Sequence, residues 1–399
     1  MRYLVVAALF ILSMITYIDR VCMATAKDSV SRDLALSDAS MGMVFGAFAL
    51  GYALMQIPSG WFADKVGPRV ALTFVVTAWS TMTVLTGFAW SVSALVAIQF
   101  FFGVGESGAF PSSARAISNW LPPGERGRAN GVLFSGSRLG AALAFPLLAW
   151  MFGKWHWRTA FALLGLLGVA WATTWLLWFR DHPAKRLTTS AVAGERDAGK
   201  RLVIWPRGVG LAMVQYFASN FTFFICLSWM LPYLKRQYHL GTSEAASYAM
   251  APLLLGATSL WITGWLVDRL YRSNWSSWSR RIPGILGFAL AATGVLGITR
   301  ADSPGIAVLC FTVATFGADM TISPSWVYCT DIAGKNVGGV SGSMNMLGNF
   351  GSFASAISFP YLQSLTGSAS TYFLVAAALN LVGMGCWFRM RSVNLEARV

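Results

Sequence analysis

Apolar runs of about 20 residues alternate with short polar stretches along the whole chain. A helix rises 1.5 Å per residue, so about 20 residues cross the ~30 Å hydrocarbon core of a bilayer. Twelve such runs can be counted, at 3–25, 40–62, 70–89, 92–117, 127–151, 158–179, 207–233, 244–267, 282–299, 304–329, 337–363 and 370–390. Within lipid only helices and closed barrels satisfy their backbone groups, and these runs lack the period-two alternation of a barrel strand. The pattern predicts an all-α membrane protein with twelve transmembrane helices.

Composition agrees with that reading. Of 399 residues, 56% are hydrophobic and only 12% charged, with a mean hydropathy of +0.57, far more apolar than a soluble domain. The net charge of +14 would suit a nucleic-acid partner, but its distribution argues otherwise. With the N-terminus cytoplasmic, 20 of the 30 Lys and Arg fall on the cytoplasmic face and seven on the other; Arg20, Arg115 and Arg138 lie within or at the edge of spans. This is the positive-inside asymmetry, so the basicity reports orientation: a multi-pass protein of the cell (inner) membrane with both termini cytoplasmic and no nucleic-acid partner. The first run ends in a signal-peptide-like Ala24-Thr25-Ala26, but two charges inside it and eleven further spans make it an uncleaved helix. The five cysteines are scattered through separate spans and the three histidines fall in loops or at span ends. Neither a metal site, a cofactor nor an enzyme's acid–base constellation is expected.

The stretch between spans 6 and 7 is polar and basic, and divides the chain into two six-helix bundles, 1–180 and 207–399, joined by a cytoplasmic linker at 181–206. Internal similarity supports the division. "GWFADKVGPR" after span 2 is echoed by "GWLVDRLYRS" after span 8, matching Gly60 to Gly264 and Asp64 to Asp268 at an offset of 204. Glu106 stands five residues before Pro111, as Asp319 does before Pro324; Gly131 and Gly140 are echoed by Gly342 and Gly351, placing Arg138 opposite Asn349. Such repeats are expected of transporters, whose substrate site lies at the repeat interface near the midplane.

"GWFADKVGPR" resembles the loop signature of the major facilitator superfamily, and the likeness extends over essentially the whole chain. More narrowly, "YIDR" (17–20), "AFALGYALMQIPSGW" (47–61), "FFGVGESGAFPSSARAISNWLPPGERGRA" (101–129) and "SGSMNMLGNFGSF" (341–353) resemble the anion:cation symporter family, which includes bacterial galactonate and hexuronate transporters and vertebrate vesicular glutamate and sialic acid transporters. The resemblance implies two pseudo-symmetric six-helix bundles, monomers, and proton-coupled uptake of an organic anion by alternating access.

Asp19 and Arg20 interrupt the first span. At a helix centre they cost about 5 to 7 kcal/mol together, whereas the Leu, Ile, Val and Phe around them return only ~3 to 6. They must therefore face a hydrated or paired interior. Neighbouring residues project about 100° apart on a helix, so each needs its own partner on another helix, or a ligand; a structural salt bridge is the plainer alternative. By resemblance, Arg20 binds the substrate carboxylate and Asp19 takes part in proton coupling. Glu106 lies mid-span between glycines that permit close helix approach, and the resemblance makes it the proton-coupling acid. The family's usual arginine seven residues earlier is here Gln99, so Arg138 and Arg115 are the candidate replacement partners. Asp319 is either a partner of Arg138 or Arg20, a second protonation site, or a residue held by local hydroxyls. Tyr52, Gln56, Ser137, Asn345 and Asn349 are further polar residues at midplane depth; by resemblance Tyr52, Ser137 and Asn345 contact substrate hydroxyls, while interhelix hydrogen bonding accounts for any of them equally. Asp64 with Arg69, Asp268 with Arg269, and Glu125 with Arg126 and Arg128 resemble the charges of a cytoplasmic gate.

These readings converge on a symporter of an organic anion such as a hexuronate or aldonate. Export or facilitated passage of another small organic anion is the alternative. An enzyme is not expected.

Overall fold

The twelve runs fold as helices, three of them in two pieces. The structure is a computed structural model that describes residues 2–182, 206–240 and 242–391. The expected linker at 181–206 lies almost wholly outside the described residues. The first half comprises α1 (Arg2–Asp33), α2 (Asp38–Val66), α3 (Pro68–Thr86), α4 (Val92–Glu106), α5 (Ala109–Trp120), α6 (Arg126–Lys154) and α7 (Trp157–Trp178). The second comprises α8 (Val209–Ser228), α9 (Met230–Tyr238), α10 (Thr242–Tyr271), α11 (Arg281–Ile298), α12 (Pro304–Met320), α13 (Ile322–Ile332), α14 (Val337–Thr366) and α15 (Ser370–Arg389).

The broken spans are α4–α5, α8–α9 and α12–α13. Each break precedes a proline by four residues: Pro111, Pro232 and Pro324 lack an N–H, and their rings crowd the carbonyls of Ser107, Ser228 and Met320, where the helices stop. The bend between α8 and α9 is 47°. Proline marks these breaks without being sufficient for them, since Pro58, Pro146, Pro252 and Pro360 lie inside continuous helices.

The two halves repeat one packing plan. α1 packs on α6 as α8 packs on α14; α2 on α4 as α10 on α12; α3 on α7 as α11 on α15. Between the halves, α2 meets α14 and α6 meets α10, again a symmetric pair. Among the described residues nine helices are long and apolar enough to cross a membrane alone, ten with the bent pair. The spans that fall short, α10 and α14, are the second half's seam helices. One side of each packs on the first half, where Gly338, Gly339, Ser341, Gly342, Ser343 and Asn345 of α14 are all buried, while another side carries exposed Leu254 and Trp261 of α10 and exposed Phe353 and Leu365 of α14. Lipid-facing positions elsewhere carry exposed Leu4, Phe74, Leu177, Leu309 and Leu381.

The seam closes where backbones touch. A Cβ on Gly60 would lie 2.2 Å from the Gly338 carbonyl oxygen, and one on Gly264 2.6 Å from that of Gly127. Both contacts sit at the end of the molecule where Arg2, Arg180 and Arg391 lie, here called the linker face.

Candidate functional site

Arg20 leaves α1 toward α4, and its Nε donates to Glu106 Oε1 at 2.5 Å. One residue earlier, about 100° round the helix, Asp19 points to α3, where Trp79 Nε1 donates to Asp19 Oδ2 at 3.2 Å. The rings of Tyr17, Phe48 and Tyr52 surround the Arg20 guanidinium at 5.1, 5.5 and 4.5 Å. The Glu106 side chain is fully buried while that of Arg20 stays 21% exposed, so solvent reaches the arginine and not the acid. Each of these three charged side chains keeps a buried polar atom with no partner among the described residues: Arg20 Nη2, Glu106 Oε2 and Asp19 Oδ1. A buried donor or acceptor left unpaired costs about 1–3 kcal/mol, more when charged, so this cluster is poised to take further hydrogen-bonding groups. Gln99, in the family arginine's place, donates to Thr86 Oγ1 at 3.3 Å, and among the described residues it makes no hydrogen bond to Glu106.

Arg138 is committed differently. From α6 it forms a two-pronged bond across the seam to Asp319 near the end of α12, Nη2 to Oδ1 at 2.6 Å and Nε to Oδ2 at 3.2 Å. Phe223 of α8 covers the guanidinium, with its ring centroid 3.8 Å away. Each half's mid-span acid thus holds an arginine, but one pair lies within the first half and the other joins the two halves.

The neutral candidates separate into two groups. Asn345 Nδ2 donates across the seam to Gln56 Oε1 at 3.0 Å and Tyr52 Oη at 3.4 Å, linking α14 to α2 beside the Arg20 cluster. Ser137 and Asn349 donate instead to carbonyls of their own helices, Phe134 at 2.6 Å and Asn345 at 2.8 Å. A cluster of aromatic residues that the sequence did not single out crosses the seam: Phe110 stacks on Phe134 at 5.0 Å, Phe134 meets Trp326 at 5.1 Å with the rings tilted by 48°, and Trp326 Nε1 donates to Tyr216 Oη at 2.9 Å. Aromatic residues on membrane helices are too common for this to be visible without the fold.

Comparison with known proteins gives this geometry its context. The family model described as Major Facilitator Superfamily matches residues 9–356. The chain belongs to the major facilitator superfamily. It is 32% identical to the probable sulfoacetate transporter SauU of Cupriavidus necator, over 96% of this chain and 92% of that one. It is 29% identical to a D-galactonate transporter of Escherichia coli, over 94% and 92% of the two chains. Among solved structures, the proton:xylose symporter XylE superposes with a TM-score of 0.80 at 14% identity, over 97% and 95% of the chains, a likeness of fold. This protein is therefore a multi-pass membrane transporter whose relatives carry sugar acids and other organic anions, and not an enzyme.

At the linker face, this member of the superfamily joins its halves by two symmetric caps. Asp64, at the end of α2, accepts the backbone N–H groups of Gly338 and Gly339 at 2.8 Å each, at the start of α14. Asp268, at the end of α10, accepts those of Gly127 and Arg128 at 2.8 and 2.9 Å, at the start of α6. Each carboxylate satisfies orphan donors of a helix in the opposite half and complements the positive end of its dipole. Arg115 lies 3.9 Å from Asp64 and donates to the Lys335 carbonyl; Arg128 lies 3.8 Å from Asp268.

Two expected gate residues lie elsewhere. Arg69 does not meet Asp64: its side chain donates to the Leu176 carbonyl at 2.7 and 3.0 Å and its backbone N–H to Asp181, tying α3 to the end of α7. Glu125 pairs with Arg2 at 3.1 Å and not with Arg126 or Arg128. A further seam cluster was unanticipated: Asp331 of α13 lies 3.7 Å from Arg126 and 3.1 Å from Arg280.

Proposed function

We propose that this protein imports an organic anion together with protons, by rocking its two halves about the Arg20–Glu106 cluster. The observation that carries the proposal is the ion pair itself. Glu106 is wholly buried and holds an arginine that stays partly exposed and keeps an unpartnered donor. While Glu106 is ionised it competes with any anion for Arg20. A proton on Glu106 removes that competition, and the guanidinium then donates its planar fork to a substrate carboxylate. Loss of the proton on the other side of the membrane restores the ion pair and expels the anion. Asp19, buried with one unpaired oxygen, is a second proton acceptor in this scheme.

Tyr52, Gln56 and Asn345 supply neutral hydrogen-bonding groups beside the arginine, which suits a hydroxylated carboxylate such as a hexuronate or aldonate. The galactonate-transporting relative supports that class, and the sulfoacetate-transporting one supports a shorter acid as the second reading. The linker face is cytoplasmic in this proposal, on the excess of Lys and Arg there. In this reading the linker-face caps and the Asn345–Gln56 contact hold the cytoplasmic side closed, and substrate enters from outside.

Uptake of labelled hexuronates, aldonates and sulfoacetate into proteoliposomes under an inwardly directed proton gradient tests the proposal. Accumulation above equilibrium that a protonophore abolishes is expected. Equal uptake with and without the gradient would replace symport by facilitated passage or export of a small anion.

A further inference from the structure

On the α6–α10 side of the seam, at the linker face, Arg128, Trp265, Arg269, Arg272 and Ser273 line an open cavity of about 330 Å³. Three guanidinium groups line it against one neighbouring carboxylate. That carboxylate, Asp268, lies 3.8 Å from Arg128 and already accepts two backbone N–H groups. Arg272 spends Nη2 on the Gly124 carbonyl at 2.8 Å. The Arg269 side chain makes no hydrogen bond or ion pair among the described residues; its guanidinium rests on the Trp265 ring, 5.2 Å from the centroid. Like charges gathered around a cavity repel one another and draw an anion between them.

The walls above the cavity indicate which anion. Trp265, Ile262, Trp261, Leu255 and Leu254 are all exposed on α10; Trp261, Ile262 and Trp265 lie within four residues of one another, the two leucines sit two turns further on, and this apolar stripe ends one turn from Trp265 at Arg269. A soluble oxyanion uses the arginines alone. A phospholipid uses both features, with its phosphate among the guanidinium groups and its acyl chains on the stripe, and tryptophans at this level suit the membrane interface.

We propose that this cavity binds the phosphate headgroup of an anionic phospholipid, which bridges Arg128 of the first half and Arg269 and Arg272 of the second. The bridge exists only while α6 and α10 are together at this face, so the lipid favours the state closed there. The site is separate from the Arg20–Glu106 cluster, and its failure would leave the transport proposal untouched.

Native mass spectrometry and thermal unfolding of delipidated protein, titrated separately with phosphatidylglycerol, phosphatidylcholine and inorganic phosphate, test this. Phosphatidylglycerol is expected to remain bound and to raise the unfolding temperature. At ~1 kcal/mol per basic residue near the surface, Arg269→Gln with Arg272→Gln weakens its binding roughly 30-fold. Arg269→Gln alone removes no protein hydrogen bond, so it guards against misfolding, and it weakens binding about fivefold. Equal binding of phosphatidylcholine, or full retention of phosphatidylglycerol by both variants, overturns the proposal. Inorganic phosphate binding as tightly as phosphatidylglycerol would make this a soluble oxyanion site and also overturn it.

Discussion

In the proposed mechanism Arg20 serves two anions in turn, and its substitutions separate them. Arg20→Ala removes a charge-assisted donor worth about 1.5–3 kcal/mol, so calorimetric affinity for the transported acid falls roughly ten- to hundredfold. Unchanged affinity would move the carboxylate site to Arg138. Glu106→Gln leaves Arg20 permanently free of its acid: exchange of labelled for unlabelled substrate persists while gradient-driven accumulation disappears. Accumulation at the normal rate would assign the proton to Asp19 or Asp319. Asp319→Asn strips a buried arginine of its counter-charge, a loss of about 3–5 kcal/mol, and lowers the unfolding temperature. Adding Arg138→Gln recovers much of that loss, because no uncompensated charge then remains buried. At this scale the sequence shows which residues are too costly to face lipid, and that Asp19 and Arg20 cannot share one partner. It does not show that Glu106 takes Arg20 or that Asp319 takes Arg138, because 86 and 181 residues separate the partners.

At the scale of elements, glycine decides how closely the seam helices approach. A Cβ on Gly338 would lie 2.2 Å from the Gly60 carbonyl oxygen, a backbone atom that cannot turn aside. Gly338→Leu is therefore expected to hold the linker face open. Spin labels at Lys65→Cys and Lys335→Cys, exposed residues on opposite halves, would then report a longer separation than in the otherwise unaltered protein. An unchanged distance would mean that the seam absorbs the side chain. The repeat of Gly60 in Gly264 was legible as a motif. Its meaning, one backbone lying on another, required the packing of α2 on α14 and of α10 on α6. The breaks beside Glu106 and Asp319 were foreshadowed by Pro111 and Pro324. Pro58 and Pro252, inside continuous helices, show why proline alone does not locate a break.

For the whole molecule, Asp64 and Asp268 hold the same relation to opposite halves, so their effects should add. Each cap bonds two backbone N–H groups with a carboxylate, and losing a cap costs about 0.5–2 kcal/mol. Asp64→Ala with Asp268→Ala together shift the balance toward the state open at the linker face by roughly 1–4 kcal/mol, read as a longer Lys65–Lys335 label distance.

What the chain determined by itself was whatever local pattern and composition carry: twelve hydrophobic spans, two repeats joined near residues 181–206, charges that lipid does not tolerate, and an asymmetry of Lys and Arg along the chain. Tertiary structure decided the pairings. Arg69 and Glu125 left the expected gate for Leu176 and Arg2, Arg20 took Glu106, and Arg138 reached across to Asp319. The reason is physical. Hydropathy and the 100° step of a helix are properties of one segment, whereas a charged side chain's partner depends on how each helix is rotated against its neighbours, and that is set by packing among all of them together.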